Sequence, residues 1–97
     1  MKHLIFLLVI STQLLTAQSL EDLSFGTDST FEIVSWNIEW FPKNGQATAV
    51  SLKTILQSLA ADVYCLQEID DTTLLKQVVS TIPGYACHFK SSYYGGL

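Results

Sequence analysis

Residues 31–69 decide the fold, and they read FEIVSWNIEWFPKNGQATAVSLKTILQSLAADVYCLQEI. The β-rich runs at the two ends of this stretch, residues 31–36 and 62–69, predict two strands. Between them lies the turn-forming segment PKNG, followed by apolar residues that fall largely at helical spacing over residues 47–60. Strand, helix and strand in this order indicate a crossover connection and a parallel strand pair.

The next residues continue the same alternation of elements. Residues 71–82 begin with an Asp-Thr pair that can cap a helix and then repeat apolar residues on one helical face. Pro-Gly at 83–84 ends this helix, and residues 85–90 (YACHFK) predict a third strand. The predicted fold class is α/β with the order β-α-β-α-β. Strands that are apolar on both sides further predict a sheet covered on each face.

The amino-terminal sequence is typical of an export signal. Residues 1–17 read MKHLIFLLVISTQLLTA, with a positive start, an apolar core and a small residue, Ala17, before Gln18. An amphipathic anchor helix or a buried core helix is the alternative interpretation. We expect cleavage after Ala17, with no stable membrane anchor left on the chain, and a secreted or periplasmic location.

Composition limits the classes of function. The chain has 97 residues, 48% apolar and 14% charged, which is enough apolar sequence for one small folded domain. The net charge is −4, which argues against a basic surface as the main source of affinity for nucleic acid. Cys65 and Cys87 are too few for a disulfide-dense scaffold. Export would permit a bridge between them, and buried free thiols are the default expectation.

Two polar residues lie where the predicted strands end. Asn37 follows the first strand and Glu68 lies near the end of the second. Ligands of open α/β sheets bind beyond the carboxyl ends of the strands, and a carboxylate there suits Mg²⁺. Position alone is a weak signal, because Asn often forms turns and Glu is often simply solvated. The two residues are therefore candidates for a shared site.

The residues around these two positions resemble a known superfamily. Ser35-Trp36-Asn37-Ile38, together with residues 61–68 (ADVYCLQE), resembles the first two motifs of the endonuclease/exonuclease/phosphatase superfamily, which includes deoxyribonucleases and apurinic/apyrimidinic endonucleases. Pro-Gly-Tyr at 83–85 and the YGGL at 94–97 also fit its pattern. The resemblance covers residues 31–97. Residues 18–30 are then a flexible lead-in before the domain.

The resemblance carries expectations about fold and chemistry. It implies that residues 31–97 open an incomplete, deoxyribonuclease-like sandwich of two sheets. It implies that Glu68 binds Mg²⁺, with Mn²⁺ or Ca²⁺ as substitutes, and that Asn37 acts beside the metal and the phosphate. The superfamily's later Tyr, Asp-x-Asn and Asp-His motifs do not occur in these 97 residues. We therefore expect the chain to be an N-terminal fragment that is inactive by itself.

Two classes of function follow from the sequence. The first is an exported Mg²⁺-dependent phosphoesterase that hydrolyses phosphodiester or phosphomonoester bonds. Its substrate would be a phosphate ester, namely nucleic acid, a phospholipid headgroup or a small phosphate ester. The alternative is a non-catalytic exported binding module, or a degenerate remnant, on the same scaffold. The oligomeric state is left open.

Overall fold

The computed structural model describes residues 19–20 and 23–90 and confirms the α/β class. The predicted signal peptide lies outside the described residues. No helix in the described ranges is both long enough and apolar enough to cross a bilayer. The elements, in chain order, are β1 (Ile33–Phe41), α1 (Gln46–Leu59), β2 (Val63–Ile69) and α2 (Thr72–Ser80).

The two strands form a parallel pair, as predicted. The register runs from Ile33 opposite Val63 to Asn37 opposite Gln67. At the amino ends, the backbone N–H groups of Asp62 and Val63 both donate to the carbonyl of Glu32, at 3.0 and 3.1 Å. The Glu32 N–H in turn donates to the Asp62 carboxylate at 2.7 Å. These contacts fix the register and thereby the position of both carboxyl ends.

The helices pack on one face of this sheet. Half-buried Trp36, Ile38 and Leu66 lie on the helix side and contact the core. On the opposite face, Ile33 is 60% exposed and Val63 is 38% exposed. Within the described residues, coverage of both faces is therefore not observed. The core consists of these buried residues: Phe41, Ala49, Leu52, Leu56, Leu75, Val78 and Ile82.

The third predicted strand is wrong. Residues 85–90 have no strand structure, although their exposure alternates as in extended chain from Tyr85 to His88. Side-chain contacts on the helix side hold this segment instead of a hydrogen-bonded ladder. The ring of Tyr85 packs at 5.7 Å from that of Tyr64, and Lys76 lies 5.2 Å from the centre of the Phe89 ring. Alternation in sequence predicts extended chain, but a strand also needs a neighbouring edge to pair with.

The end of α1 contains a residue that is poorly suited to its conformation. Ala60 follows the helix with φ 48°, in the left-handed region, and its N–H donates to the carbonyl of Leu56 at 3.0 Å. This is the position where helices usually have glycine, because a Cβ clashes there with the following carbonyl.

We expect Ala60→Gly to stabilise the chain by about 0.5–1 kcal/mol, since the relief of the Cβ clash exceeds the added entropy of the unfolded glycine. Urea denaturation followed by circular dichroism measures the change. The control is Ala47→Gly inside α1, which should destabilise by about 0.5–1 kcal/mol. Equal losses in the free energy of unfolding in Ala60→Gly and Ala47→Gly would contradict the prediction.

Two tyrosine hydroxyls tie the α1–β2 junction together. The Tyr64 hydroxyl accepts from the Ala61 N–H at 2.8 Å and donates to the Leu56 carbonyl at 2.7 Å. The Tyr85 hydroxyl donates to the Ala61 carbonyl at 2.6 Å. Burial raises the pKa of Tyr64 above its ordinary value of 10.0, and the neighbouring Tyr85 adds to this effect.

This raised pKa predicts a loss of stability at alkaline pH. Because the folded pKa of Tyr64 lies above the unfolded one, its contribution is complete below pH 10 and is lost as pH rises through the folded pKa. We expect the free energy of unfolding to fall above pH 10 and Tyr64→Phe to reduce this slope. Tyr64→Phe should also cost about 1 kcal/mol at neutral pH by removing two hydrogen bonds. If the free energy of unfolding falls equally steeply above pH 10 in the unmodified chain and in Tyr64→Phe, the assignment to Tyr64 is contradicted.

Candidate active site

A cleft of about 1340 Å³ extends along β2 and reaches the carboxyl ends of both strands. Both of the predicted site residues, Asn37 and Glu68, line it. The structure therefore brings together the two positions that the sequence singled out. Three more residues line the same end of the cleft: Trp40, Gln67 and Asp70.

The strand pleat is broken at Glu68, next to the Asn37–Gln67 pair. Asn37 is exposed and lies opposite Gln67, so the two are on the open face of the sheet. Successive strand residues point to opposite faces, which would turn Glu68 away from Asn37 in a regular strand. Glu68 instead has φ 60°, outside the strand region, and the regular alternation ends there.

The partner strand is also irregular at this point. After the Asn37–Gln67 pair, the next pair is Phe41 with Ile69, so three residues of β1 lie opposite Glu68 alone. Glu39 and Trp40, within this bulge, have φ 43° and 52°. Positive φ is uncommon for such residues and costs free energy. Bulges and left-handed residues of this kind concentrate next to functional sites.

Phe41 anchors the bulge to the hydrophobic core. This side chain is fully buried at 0% exposure, and its carbonyl accepts the N–H groups of Asp70 and Asp71, both at 3.0 Å. The Asp71 carboxylate caps α2 by accepting the Leu74 N–H at 2.8 Å, as the sequence predicted. The strained edge is thus joined to both the core and the start of α2.

The amide of Asn37 has a defined orientation. Its Oδ1 accepts the backbone N–H of Glu39 at 2.9 Å. An N–H can pair only with the oxygen end of an amide, which leaves the Nδ2 donor for a ligand. A donor at this position is suited to a phosphate oxygen. Asn37 is therefore better arranged to bind phosphate than to ligate a cation through a free oxygen.

The carboxylates of the cleft fit a hard cation. Glu68 is half-buried and Asp70 is exposed, and both line the cleft. Mg²⁺ is typically held by one or two carboxylates, with waters and substrate phosphate oxygens completing its shell. Across residues 19–20 and 23–90, no group of three or more His, Cys, Asp or Glu side chains is arranged to hold a metal. Among the described residues, Glu68 and Asp70 are thus a pair of carboxylates and not a complete metal site.

Two residues of the cleft were not predicted as part of a site. Trp40 is 58% exposed. Asp70 directly precedes Asp71, which caps α2. Their positions follow from the bulge, and the sequence carries no local signal for it. Glu39, by contrast, is exposed and pairs with Lys43 at 2.9 Å, as expected for a solvated glutamate.

The two cysteines differ in their surroundings, and Cys87 lines the cleft. Both are free, and Cys65 is exposed on the open face of β2, so the expectation of two buried thiols is wrong for Cys65. Cys87 is half-buried against the helix-side core. Burial raises the pKa of the Cys87 thiol, and nearby Lys76 partly opposes this shift. The two thiols thus lie on different sides of the sheet.

A parallel β-α-β unit with a cleft that reaches the carboxyl ends of its strands is a common architecture of α/β ligand-binding and catalytic domains. The chain is similar to DNA-(apurinic or apyrimidinic site) endonuclease 2 of Xenopus laevis, with 46% identity over 63 residues. The match covers 63% of this chain and 11% of that protein. The similarity supports the resemblance to the endonuclease/exonuclease/phosphatase superfamily. No protein-family model and no solved structure matches the chain.

Proposed function

We propose that the chain is the N-terminal part of an exported, Mg²⁺-dependent phosphoesterase that acts on phosphodiester bonds of nucleic acid. The observation that carries this proposal is the convergence of Asn37 and Glu68 on one cleft at the carboxyl ends of a parallel strand pair. The similarity to an apurinic/apyrimidinic endonuclease supports nucleic acid as the substrate class.

In this proposal each residue has a separate task. Glu68, with Asp70 beside it in the cleft, would hold the cation. The Asn37 Nδ2 group would donate to a non-bridging phosphate oxygen and fix the phosphate in place. When bound, the metal polarises the phosphate and stabilises negative charge on the leaving oxygen. The hydrogen bond from the Glu39 N–H would keep the Asn37 amide oriented before substrate arrives, so that little reorganisation of this side chain would be needed.

The charge of the chain supports a requirement for metal. The chain has five cationic residues against nine acidic ones. Three carboxylates line the cleft, those of Asp62, Glu68 and Asp70, against one lysine, Lys90. Phosphate would be repelled from this edge unless a divalent cation offset the carboxylates. Binding of a polyanion here should therefore need Mg²⁺.

A binding experiment with the unmodified chain tests the proposal. A fluorescein-labelled single-stranded oligonucleotide is titrated with protein in Mg²⁺, in Ca²⁺ and in EDTA. We expect binding in both metals and at least about tenfold weaker binding in EDTA. With a bound cation the site attracts phosphate, whereas without the cation its carboxylates repel phosphate. Equal binding in EDTA would contradict the proposal, and so would the absence of binding in Mg²⁺.

Turnover by this chain alone is expected to be absent. The 97 residues contain neither an Asp-x-Asn motif nor an Asp-His pair, so the resemblance provides no general base or further phosphate-stabilising groups. Bis-p-nitrophenyl phosphate with Mg²⁺ is a suitable substrate. Hydrolysis that depends on both Mg²⁺ and Glu68 would show that these residues suffice and would overturn the fragment proposal.

Export is proposed on the pattern of residues 1–17. We expect the chain, expressed with its natural amino terminus in a secreting host, to accumulate outside the cytoplasm with Gln18 as its first residue. Mass spectrometry of the mature chain checks this. A chain that is retained in the cell at full length would contradict the proposal.

A further inference from the structure

Trp40 is an exposed aromatic residue at the rim of the candidate site. Its side chain is 58% exposed, whereas the next residue, Phe41, is completely buried. Trp40 lines the same cleft as Asn37 and Glu68. A large apolar side chain at such a position loses the free energy that burial would give it. A ligand bound in this cleft would cover part of that exposed surface.

The backbone of Trp40 strengthens this interpretation. Its φ of 52° is left-handed, which is a true outlier for a bulky residue. Glycine would occupy this conformation without a Cβ clash. The fold thus keeps a tryptophan where both exposure and backbone conformation disfavour it. Strain of this kind persists where the surrounding structure enforces it, here through the buried Phe41 and the bulge.

We propose that Trp40 is a positioning residue that stacks on a nucleobase next to the phosphate held by Asn37 and Glu68. The inference rests on the proposed function and adds to it a base-contacting surface. Indole rings stack on any base, because every base has a π-face. With few cations in the chain, stacking would supply affinity that a basic groove provides in other nucleic-acid-binding proteins. Trp40 would thereby increase the affinity for strands in which the nucleotide beside the bound phosphate carries a base.

The test compares two strands of equal charge in Mg²⁺. One is an oligothymidylate of about eight nucleotides, a length within the range of single-strand binding sites, and the other has the same backbone without bases. We expect the unmodified chain to bind the base-bearing strand about tenfold more tightly, and Trp40→Gly to abolish this preference. Trp40→Phe should keep most of it. Phe31→Ala, at a residue that is 69% exposed in another part of the chain, serves as the matched control and should leave it unchanged.

The variants also separate positioning from a structural role. Trp40→Gly relieves the left-handed strain, so its thermal midpoint should be at least equal to that of the unmodified chain while its base preference is lost. In a Trp36→Phe chain, Trp40 is the sole tryptophan, and its emission should be quenched by the base-bearing strand and not by the base-free one. An unchanged preference in Trp40→Gly would overturn the inference.

The results that would contradict the proposed function differ from those that would contradict the role of Trp40. Glu68→Gln should weaken the binding of both strands by the same factor, because the cation contacts the phosphate common to both. If Mg²⁺-dependent binding of both strands persists in Glu68→Gln, the proposed function is wrong. If Glu68→Gln weakens both strands but the unmodified chain does not distinguish them, only the role of Trp40 is wrong.

Discussion

A Glu68→Gln chain is expected to bind Mg²⁺ at least about 10–100-fold more weakly than the unmodified chain, because loss of partners that merely orient a metal ligand already costs that much. Glutamine has nearly the same shape and keeps one carbonyl oxygen, but it lacks the negative charge that a hard divalent cation requires. Mn²⁺ used as a paramagnetic substitute measures the effect through broadening of the NMR signals of residues around the cleft.

The control for this substitution is Glu32→Gln. It removes the same charge from the opposite end of the strand pair, where Glu32 contacts Asp62 and the Thr27–Thr30 turn. It should leave the broadening of cleft signals unchanged. Equal losses in Glu32→Gln and Glu68→Gln would show that the cation responds to net charge and not to a site at Glu68.

A Phe41→Ala chain is expected to lose about 3–5 kcal/mol of stability, the usual cost of removing a buried phenyl group. The side chain is fully buried in the cluster with Leu52 and Leu75. Domains of this size have about 5–15 kcal/mol in total, so the loss is a large share of the free energy of unfolding. Urea denaturation followed by circular dichroism measures it.

Phe41 also connects the core to the candidate site, so its loss should affect both. The Phe41 carbonyl accepts the N–H groups of Asp70 and Asp71, which fixes the backbone directly after Glu68. We expect Phe41→Leu to keep most of the stability and the Mg²⁺ binding, because it refills most of the cavity. Phe31→Ala, at an exposed residue, should change stability by less than about 0.5 kcal/mol. A Phe41→Ala chain as stable as Phe31→Ala would contradict this account of the core.

The local pattern of the sequence predicted most elements to within a residue or two. The predicted helix at 47–60 is observed at Gln46–Leu59, and the predicted strand at 62–69 is observed at Val63–Ile69. A side-chain cap of α2 by the Asp71–Thr72 pair was also predicted, since a side-chain oxygen and the first free N–H groups are close in sequence, and Asp71 is the residue that provides it. These features depend on local contacts and on hydrophobic periodicity, which the sequence displays directly.

The errors occur where an element depends on a distant partner. β1 continues to Phe41, five residues past its predicted end, because pairing with β2 carries it through Asn37. Residues 85–90 are extended but unpaired, because their side chains pack over the helix side of the sheet. Neither the continuation of a strand nor its absence can be determined from the alternation of residues alone.

For the candidate site, too, the sequence predicted one part and the tertiary structure decided the other. Parallel pairing, predicted from the order of elements, already implied that Asn37 and Glu68 would lie near one edge of the sheet. Only the tertiary structure decided that both line one cleft and that the backbone at Glu68 leaves the strand conformation, with φ 60°. Glutamate and tryptophan have no intrinsic preference for that conformation. The bulge arises from the packing of Phe41 and the pairing of two strands far apart in sequence, and that is why it is absent from any local pattern.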